Sequence, residues 1–253
     1  MIEHRSSSPT SLKRAKNIVY GAKRIVIFSG AGISTESGIP DFRSKGGLWT
    51  RFDPDLYADF NVFLDRPELY WDLERAIQAM LAGAEPNAAH LACVELERQG
   101  RLLAVITQNI DMLHQRAGLI TTPVYELHGS SMTASCVECG QKHDRDWILD
   151  LVARQEIPRC NYCGGLVKFD VVLFHERLPE QVLDNAIAAT EISDCLIVIG
   201  SSLEVAPANV IPLYARRAGV PVVVINMDPT PFDPTFDVVL RGRAGELLPL
   251  LIG

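Results

Sequence analysis

Two groups of residues in this chain have the types and spacing to do chemistry. The first begins at Ile25-Val26-Ile27-Phe28, a short β-branched run that reads as a buried strand. Gly30-Ala31-Gly32 follows it at once. Glycines after a strand let the backbone turn tightly and let a pyrophosphate approach main-chain N–H groups. Ser34 and Thr35 can cap a short helix and offer further donors. The third glycine of G-x-G-x-x-G falls on Thr35, so a plain strand-to-helix turn is the alternative. Gly38-Ile39-Pro40-Asp41-Phe42-Arg43 comes next. Phe42 can lie over a flat ring or a sugar, and Arg43 can pair with a phosphate. Asp41 can read an amide or hydroxyl, or can cap a turn.

The second group is four cysteines. Cys136 and Cys139 form one Cys-x-x-Cys pair, Cys160 and Cys163 another, with twenty residues between the pairs. This is zinc-ribbon spacing, with Gly140 and Gly164 after the second cysteine of each pair. Four thiolates close the coordination shell, so one zinc ion is expected to hold the module together rather than to hydrolyse anything. A pair of redox dithiols is the alternative. Cys93 and Cys195 lie in apolar surroundings and read as core thiols. The pattern suits a reducing cytoplasm.

The elements that must position these groups alternate between strand and helix. Leu12–Tyr20 has helical spacing, residues 54–100 read as helices, and Leu102–Ile106 is a strand ending at Thr107-Gln108-Asn109-Ile110-Asp111. Val124–Leu127 is a short strand that delivers His128. From Lys168 onward the pattern is strand, helix, strand, helix, strand, with Gly200-Ser201-Ser202 after Ile199 and Asn226 after Ile225. The fold class expected is therefore α/β: a doubly wound, parallel Rossmann-like sheet, with a smaller inserted domain of a helical module and a zinc ribbon. The expected division gives residues 1–45, 101–130 and 170–253 to the dinucleotide-binding domain. Residues 46–100 and 131–169 form the smaller one. The formal charge of −7 argues against a nucleic-acid footprint and suits a cationic peptide, or simple solubility. No run is apolar and long enough for a membrane span, and the polar start is not a secretory signal.

A Rossmann sheet usually serves hydride transfer, but no residue set for a hydride-accepting alcohol or ketone is evident. His128 with Asn109 and Asp111 at strand ends suits cleavage of the nicotinamide–ribose bond better.

Gly30-Ala31-Gly32-Ile33-Ser34, then Glu36-Ser37-Gly38-Ile39-Pro40-Asp41-Phe42-Arg43, resembles the signature of the sirtuins, NAD-dependent protein lysine deacylases. Thr107–Asp111, Glu126-Leu127-His128-Gly129 and Gly200–Val205 match further blocks in order. The resemblance implies that NAD is a cosubstrate and that acyl-lysine proteins or peptides are the partners. It implies that His128 is the general base, an imidazole whose ordinary pKa of about 6.5 suits that work near neutrality. Asn109 would hold the ribose and a water, and Asp111, Ile110 and Ile39 would line the nicotinamide pocket. The turn Gly30–Gly32 with Ala31, Thr35, Phe42, Arg43 and Gln108 would hold the phosphates and the nicotinamide ribose, and Ser34 and Asp41 would also contact the cofactor. Gly200, Ser201, Ser202, Asn226, Met227 and Ala244 would hold the adenosine end, although Met227 could simply fill space. His90 and His114 read as packing or capping residues.

Val172, Phe174, His175 and Glu176 fall in the stretch that clamps the substrate backbone. Sirtuins usually read Pro-x-Val-Val-x-Phe-Gly-Glu there; here Phe169 replaces the Pro and His175 the Gly. Sirtuins that favour acidic acyl groups carry a Tyr-x-x-Arg pair in the helical insert. Tyr70 is followed three later by Leu73, so neutral acyl groups are expected. A mono-ADP-ribosyltransferase and a non-catalytic NAD-sensing module are the rival readings, and a monomer in the cytoplasm is the expected state.

Overall fold

The structure, a computed structural model, describes residues 8–42, 44 and 46–253. α1 (Pro9–Gly21) starts where the Ser8 hydroxyl accepts from the Ser11 amide and Pro9 takes a first-turn position, where no amide is needed. β1 (Ile25–Ser29) is buried throughout and runs into the 3-10 helix Ala31–Ser37. α2 (Pro54–Tyr57), α3 (Phe60–Asp65), α4 (Pro67–Leu81) and α5 (Ala88–Arg98) follow. Asp53, Asp59 and Asn87 cap three of them, and Pro54 and Pro67 open two. Next come β2 (Leu102–Thr107), α6 (Leu113–Arg116), β3 (Val124–Glu126), β4 (Gly129–Cys136), β5 (Lys142–His143), α7 (Arg145–Ala153) and β6 (Val167–Val171). The chain ends with α8 (Glu180–Glu191), β7 (Cys195–Ile199), α9 (Ile211–Arg217), β8 (Val222–Ile225), β9 (Val238–Leu240) and α10 (Ala244–Ile252).

Two compact units result. The larger takes the chain up to Ile39, Glu85–Leu127 and Glu180–Gly253. Its six strands run in the order β3-β2-β1-β7-β8-β9, every pair parallel. That is the doubly wound order, with its switch point between β1 and β7. Both faces are covered at the centre, which is why β1, β7 and β8 are buried throughout and read as near-continuous apolar runs. One face packs Ile25, Ile27, Val105 and Ile197 against Ala15, Ala92, Leu96 and Leu248 of α1, α5 and α10. α8 and α9 serve the other face. Cys93 and Cys195 are buried, and burial pushes both thiols up to about 12, so they are inert core residues.

The smaller unit takes Pro40–Ala84 and His128–Pro179. It has an antiparallel sheet, β5-β4-β6, and the helices α2, α3, α4 and α7. Its core carries a row of edge-on rings: Phe63 on Tyr70 at 5.1 Å, Tyr70 on Trp71 at 4.8 Å, and Trp71 on Phe169 at 5.5 Å.

The division differs from the sequence expectation at α5 and at three segment boundaries. α5, expected in the helical module, lies in the larger unit because Ala89, Ala92, Cys93 and Leu96 bury against β1 and β2 residues. Residues 40–45, 128–130 and 170–179 group with the smaller unit; at the last two, β4 pairs with β6 from Gly129↔Val171 to Cys136↔Val167. α7 carries no mark in the sequence reading at all. Among the described residues no helix is long and apolar enough to cross a membrane.

Candidate active site and metal centre

In the larger unit the predicted residues gather at the carboxyl ends of β1, β2, β7 and β8, where open parallel sheets bind ligands. At the switch point two glycine loops interlock. The Gly30 amide donates to Ile199 O at 3.0 Å, the Gly32 amide to Gly200 O at 2.8 Å, and the Gly200 amide to Ile225 O at 3.0 Å. The glycines are needed for this contact. A Cβ on Gly32 would stand 2.7 Å from Gly200 Cα, and one on Gly200 would stand 2.2 Å from the Ile33 nitrogen. Gly200 is also left-handed, at φ +60°. Gly30 and Gly32 thus serve loop-to-loop packing, beyond the phosphate approach read from the sequence. Gly200→Ala should lower stability in urea unfolding by about 3 kcal/mol. Gly219→Ala is the control: also left-handed, its Cβ meets nothing within 4 Å, and it should cost about 1 kcal/mol.

Beyond β2, Ser34, Asn109 and Asp111 form one buried cluster. Ser34 Oγ donates to Asp111 Oδ2 at 2.6 Å, and Asn109 Nδ2 donates to Ser34 Oγ at 3.1 Å and to Asp111 Oδ2 at 3.2 Å. The Leu113 amide holds Asp111 Oδ1 at 2.9 Å. Ile110 lies between Asn109 and Asp111 in sequence, with Ile39 at the end of the first segment of this unit.

Two residues to which the sequence reading gave no role seat this cluster. Thr107 Oγ1 accepts from the Asn109 amide at 3.1 Å and from Ser29 Oγ at 2.9 Å. Ser29 Oγ therefore accepts from His114 Nε2, 2.9 Å away, which sets the His114 tautomer. Burial pushes His114 down to about 3 and His90 to about 4, so both imidazoles are neutral at pH 7. His90 also completes the cap of α5, with its Nδ1 accepting from the Asn87 amide at 3.3 Å. Both are packing and capping residues, as expected. Asn87 does more: its Nδ2 donates to Ile33 O at 2.7 Å and ties down the 3-10 helix. The only sequence signal for it is its capping position after Pro86.

Gln108 Nε2 donates to Ser201 Oγ at 2.8 Å, joining the β2 and β7 loops. Ser202 follows at the same loop. Asn226 turns its amide to Asp228 O at 2.9 Å, and Met227 is largely exposed. Ala31 and Thr35 lie on the 3-10 helix, where Thr35 Oγ1 donates to Gly32 O at 3.0 Å. Ala244 opens α10, but the next amide, Gly245, is occupied by Glu36 Oε2 at 2.8 Å.

In the smaller unit, Asp41 caps its own turn by accepting from the Ser44 amide at 2.8 Å, and Phe42 packs on Trp49 at 5.0 Å. Arg43 lies outside the described residues. His128 is half-buried in the turn before β4. Its carbonyl accepts from the Val172 amide at 2.8 Å. Gly129 follows at φ +73°, where a Cβ would come within 1.9 Å of Asp170 O. Glycine alone permits that close approach, so the seat of His128 is locked by its neighbour.

At 169–176 both departures from the expected pattern, Phe169 and His175, have identifiable partners. Phe169 is fully buried, and its amide, which a proline would lack, donates to Tyr70 Oη at 3.2 Å. Tyr70 is in turn bonded to the buried carboxyl of Glu74, which burial pushes up to about 7. The tyrosine hydroxyl is thereby committed inside the unit. Lys168 Nζ donates to Val171 O at 2.6 Å and pairs with Glu176 Oε2 at 3.0 Å, while that carboxylate also accepts from the Leu173 amide at 2.9 Å. His175 sits at φ +68°, the conformation its glycine counterpart would adopt freely and a side chain adopts at a cost of about 1 kcal/mol. Its Nδ1 lies 2.5 Å from Asp59 Oδ2.

The four cysteine sulfurs lie within 4.8 Å of one another. Across the two pairs, Cys136 and Cys163 are 3.5 Å apart and Cys139 and Cys160 3.7 Å. A tetrahedral shell with Zn–S of about 2.3 Å has edges of about 3.8 Å. Both knuckles turn alike: Gly140 N donates to Cys136 O at 3.0 Å and Gly164 N to Cys160 O at 2.9 Å, with both glycines left-handed. The Tyr162 amide donates to Cys160 Sγ at 3.4 Å. Donor set and spacing fit one structural zinc ion, and the gathering of all four sulfurs into one cluster, rather than two separate pairs, speaks against paired redox dithiols.

A sequence model of the Sir2 family matches residues 30–207. NAD-dependent protein deacylase 2 of Archaeoglobus fulgidus is 45% identical over 242 residues, 95% of this chain and 94% of that protein. NAD-dependent protein deacetylase 2 of Caldanaerobacter subterraneus is 42% identical over 243 residues, 95% of this chain and 94% of that protein. A solved Sir2 enzyme from work on the mechanism and regulation of that group superposes with a TM-score of 0.89 at 44% identity, covering 97% of both chains. A Sir2 complex with a p53 peptide and NAD+ gives 0.85 at 36% identity, over 94% of this chain and 95% of that one. Sir2Af2 bound to a myristoylated histone peptide gives 0.80 at 39% identity, over 97% and 96%.

Proposed function

The chain belongs to the Sir2 family, and we propose that it removes acyl groups from protein lysines at the expense of NAD, with His128, Asn109 and Asp111 as the working residues. NAD supplies the ribose carbon that the acyl oxygen attacks, the nicotinamide that leaves, and the ribose hydroxyl on which the acyl group ends. The products are free lysine, nicotinamide and O-acyl-ADP-ribose. The observation that carries this assignment is the buried Ser34–Asn109–Asp111 cluster at the carboxyl end of β2, beside the switch point. Its hydrogen bonds hold an amide and a carboxylate in fixed directions before any ligand arrives, as electrostatic catalysis requires. His128 takes the proton from the ribose hydroxyl. The loops at Gly30 and Gly200, with Gln108 and Ser201 bonded across them, bind the dinucleotide. Val172, Phe174 and Glu176 belong to the peptide clamp. The four thiolates of the metal centre hold zinc and take no part in the reaction. Unpaired, buried Cys93 and Cys195 support a cytoplasmic location.

The enzyme prefers neutral acyl groups. Tyr70, which would have to read an acidic acyl group, is spent on the Phe169 amide and on Glu74, and Leu73 stands where an arginine would be needed. Incubation of NAD with acetyl-, propionyl-, myristoyl- and succinyl-lysine peptides, read by nicotinamide release, tests both reaction and preference. Neutral acyl peptides should turn over, with succinyl peptide at least about 100-fold lower in kcat/KM, because Leu73 gives an acid no arginine to pair with beside Tyr70. Protein-bound label from labelled NAD, without O-acyl-ADP-ribose, would instead mean ADP-ribosyl transfer.

A further inference from the structure

His175 is the residue at which this chain leaves its family pattern without any gain in the core: its side chain is 69% exposed. It holds a left-handed backbone that glycine would adopt unaided. What it gains is a bond to Asp59, whose carboxylate is 10% exposed and also caps α3 by accepting from Asn61 N at 2.8 Å and Val62 N at 3.0 Å. The Asp59 carboxyl lies below the usual carboxylate range, chiefly through the Val62 amide and with a contribution from His175.

The same two chain segments are joined by their backbones. Phe174 N donates to Ala58 O at 2.8 Å, and Phe60 N donates to Phe174 O at 3.1 Å. Glu176 N closes the turn onto Leu173 O at 3.1 Å. The segment Leu173–Glu176 is therefore held on one side by the Lys168–Glu176 pair and on the other by the start of α3.

We propose that Asp59 and His175 form a latch that sets the peptide clamp in its working shape before substrate binds, which makes His175 a positioning residue for the acyl-lysine peptide. With glycine at 175 the turn can leave the left-handed region and Phe174 can part from α3. With histidine, the ring bond to a carboxylate already fixed by two amides holds φ in place. The peptide then meets an ordered backbone and does not bear the ordering entropy itself. The latch acts on peptide affinity and leaves the dinucleotide loops alone, since those are built from other residues.

The inference rests on the deacylase assignment, so wild-type turnover on an acetyl peptide is measured first. Absence of turnover on every acyl peptide would remove both. Given turnover, His175→Gly and Asp59→Ser are compared with the wild type; serine keeps the cap of α3 but cannot reach the ring. Each should raise peptide KM about fivefold, with kcat and the KM for NAD within twofold. The double variant should be no worse than either single one, because the two residues make one interaction. Amide exchange at Phe174 should quicken in both. Peptide KM unchanged in His175→Gly, additive effects in the double variant, or equal rises in the KM for NAD would each overturn the latch.

Discussion

Replacing His128 by Ala should abolish deacylation while the protein stays folded and still binds NAD. The loss expected is about 10³-fold in kcat, the usual worth of a positioned general base. Of the other described histidines none is a candidate. His90 and His114 are buried, neutral and committed to a helix cap and to Ser29. His143 stacks on Trp147 beside the metal centre, and His175 is held by Asp59. The fold survives because the register around His128 is set by backbone: the Val172 bond to its carbonyl and the approach of Gly129 to Asp170 remain in the variant. Stopped assays of nicotinamide release, calorimetric titration with NAD and a thermal melt decide the matter. Turnover within tenfold of wild type would remove His128 from the base role. Lost NAD binding with an unchanged melt would recast it as a binding residue.

Stripping the metal should undo the smaller unit and spare the larger. β4 and β6 carry Cys136 and flank the second knuckle, so the sheet of the smaller unit is anchored on the centre. Binding at a four-thiolate zinc site is folding free energy, on the order of 10 kcal/mol. A chelator at pH 7 should release one zinc per chain and expose four further reactive thiols. Deacylation should cease. The larger unit should keep its parallel sheet, whose core draws on β1, β2, β7, β8 and three helices and on no metal ligand. Cys160→Ser should give the same result without chelator. A metal-free protein with native melting and four titratable thiols would show that the centre does not hold the fold.

Much of this was readable along the chain because it depends on near neighbours. An apolar run followed at once by Gly30-Ala31-Gly32 is a strand and a turn by local sterics alone. Cys136-x-x-Cys139 brings two sulfurs to one side of a tight turn whatever surrounds it. Asn87, Asp53 and Asp59 cap helices using amides two or three residues away. β1, β2, β7 and β8 follow from their apolar character and the helices between them, whereas the strand from Lys168, expected to open the parallel series of the second half, pairs antiparallel with β4 as β6.

Other features came only with the packing. α5 reads as part of the helical insert, yet its small apolar face finds its complement on β1 and β2, and no local signal distinguishes the two partners. Asp41 can read a ligand or cap a turn by its type, and in the fold its Oδ1 accepts from the amide three residues on. Thr107 and Ser29 gained a role because adjacent strands put them opposite each other, 78 residues apart in sequence.

By itself the sequence determined the strand and helix alternation, the metal ligands and the residue types brought to the strand ends, since turns, caps and hydrophobic period act over a few residues. Tertiary structure alone decided that Gly200 must be bare to admit Ile33, that Phe169 answers Tyr70, and that His175 reaches Asp59. Each of those depends on two distant stretches meeting within a few ångströms, and steric exclusion and hydrogen bonding at that range are properties of the pair, absent from either stretch taken alone.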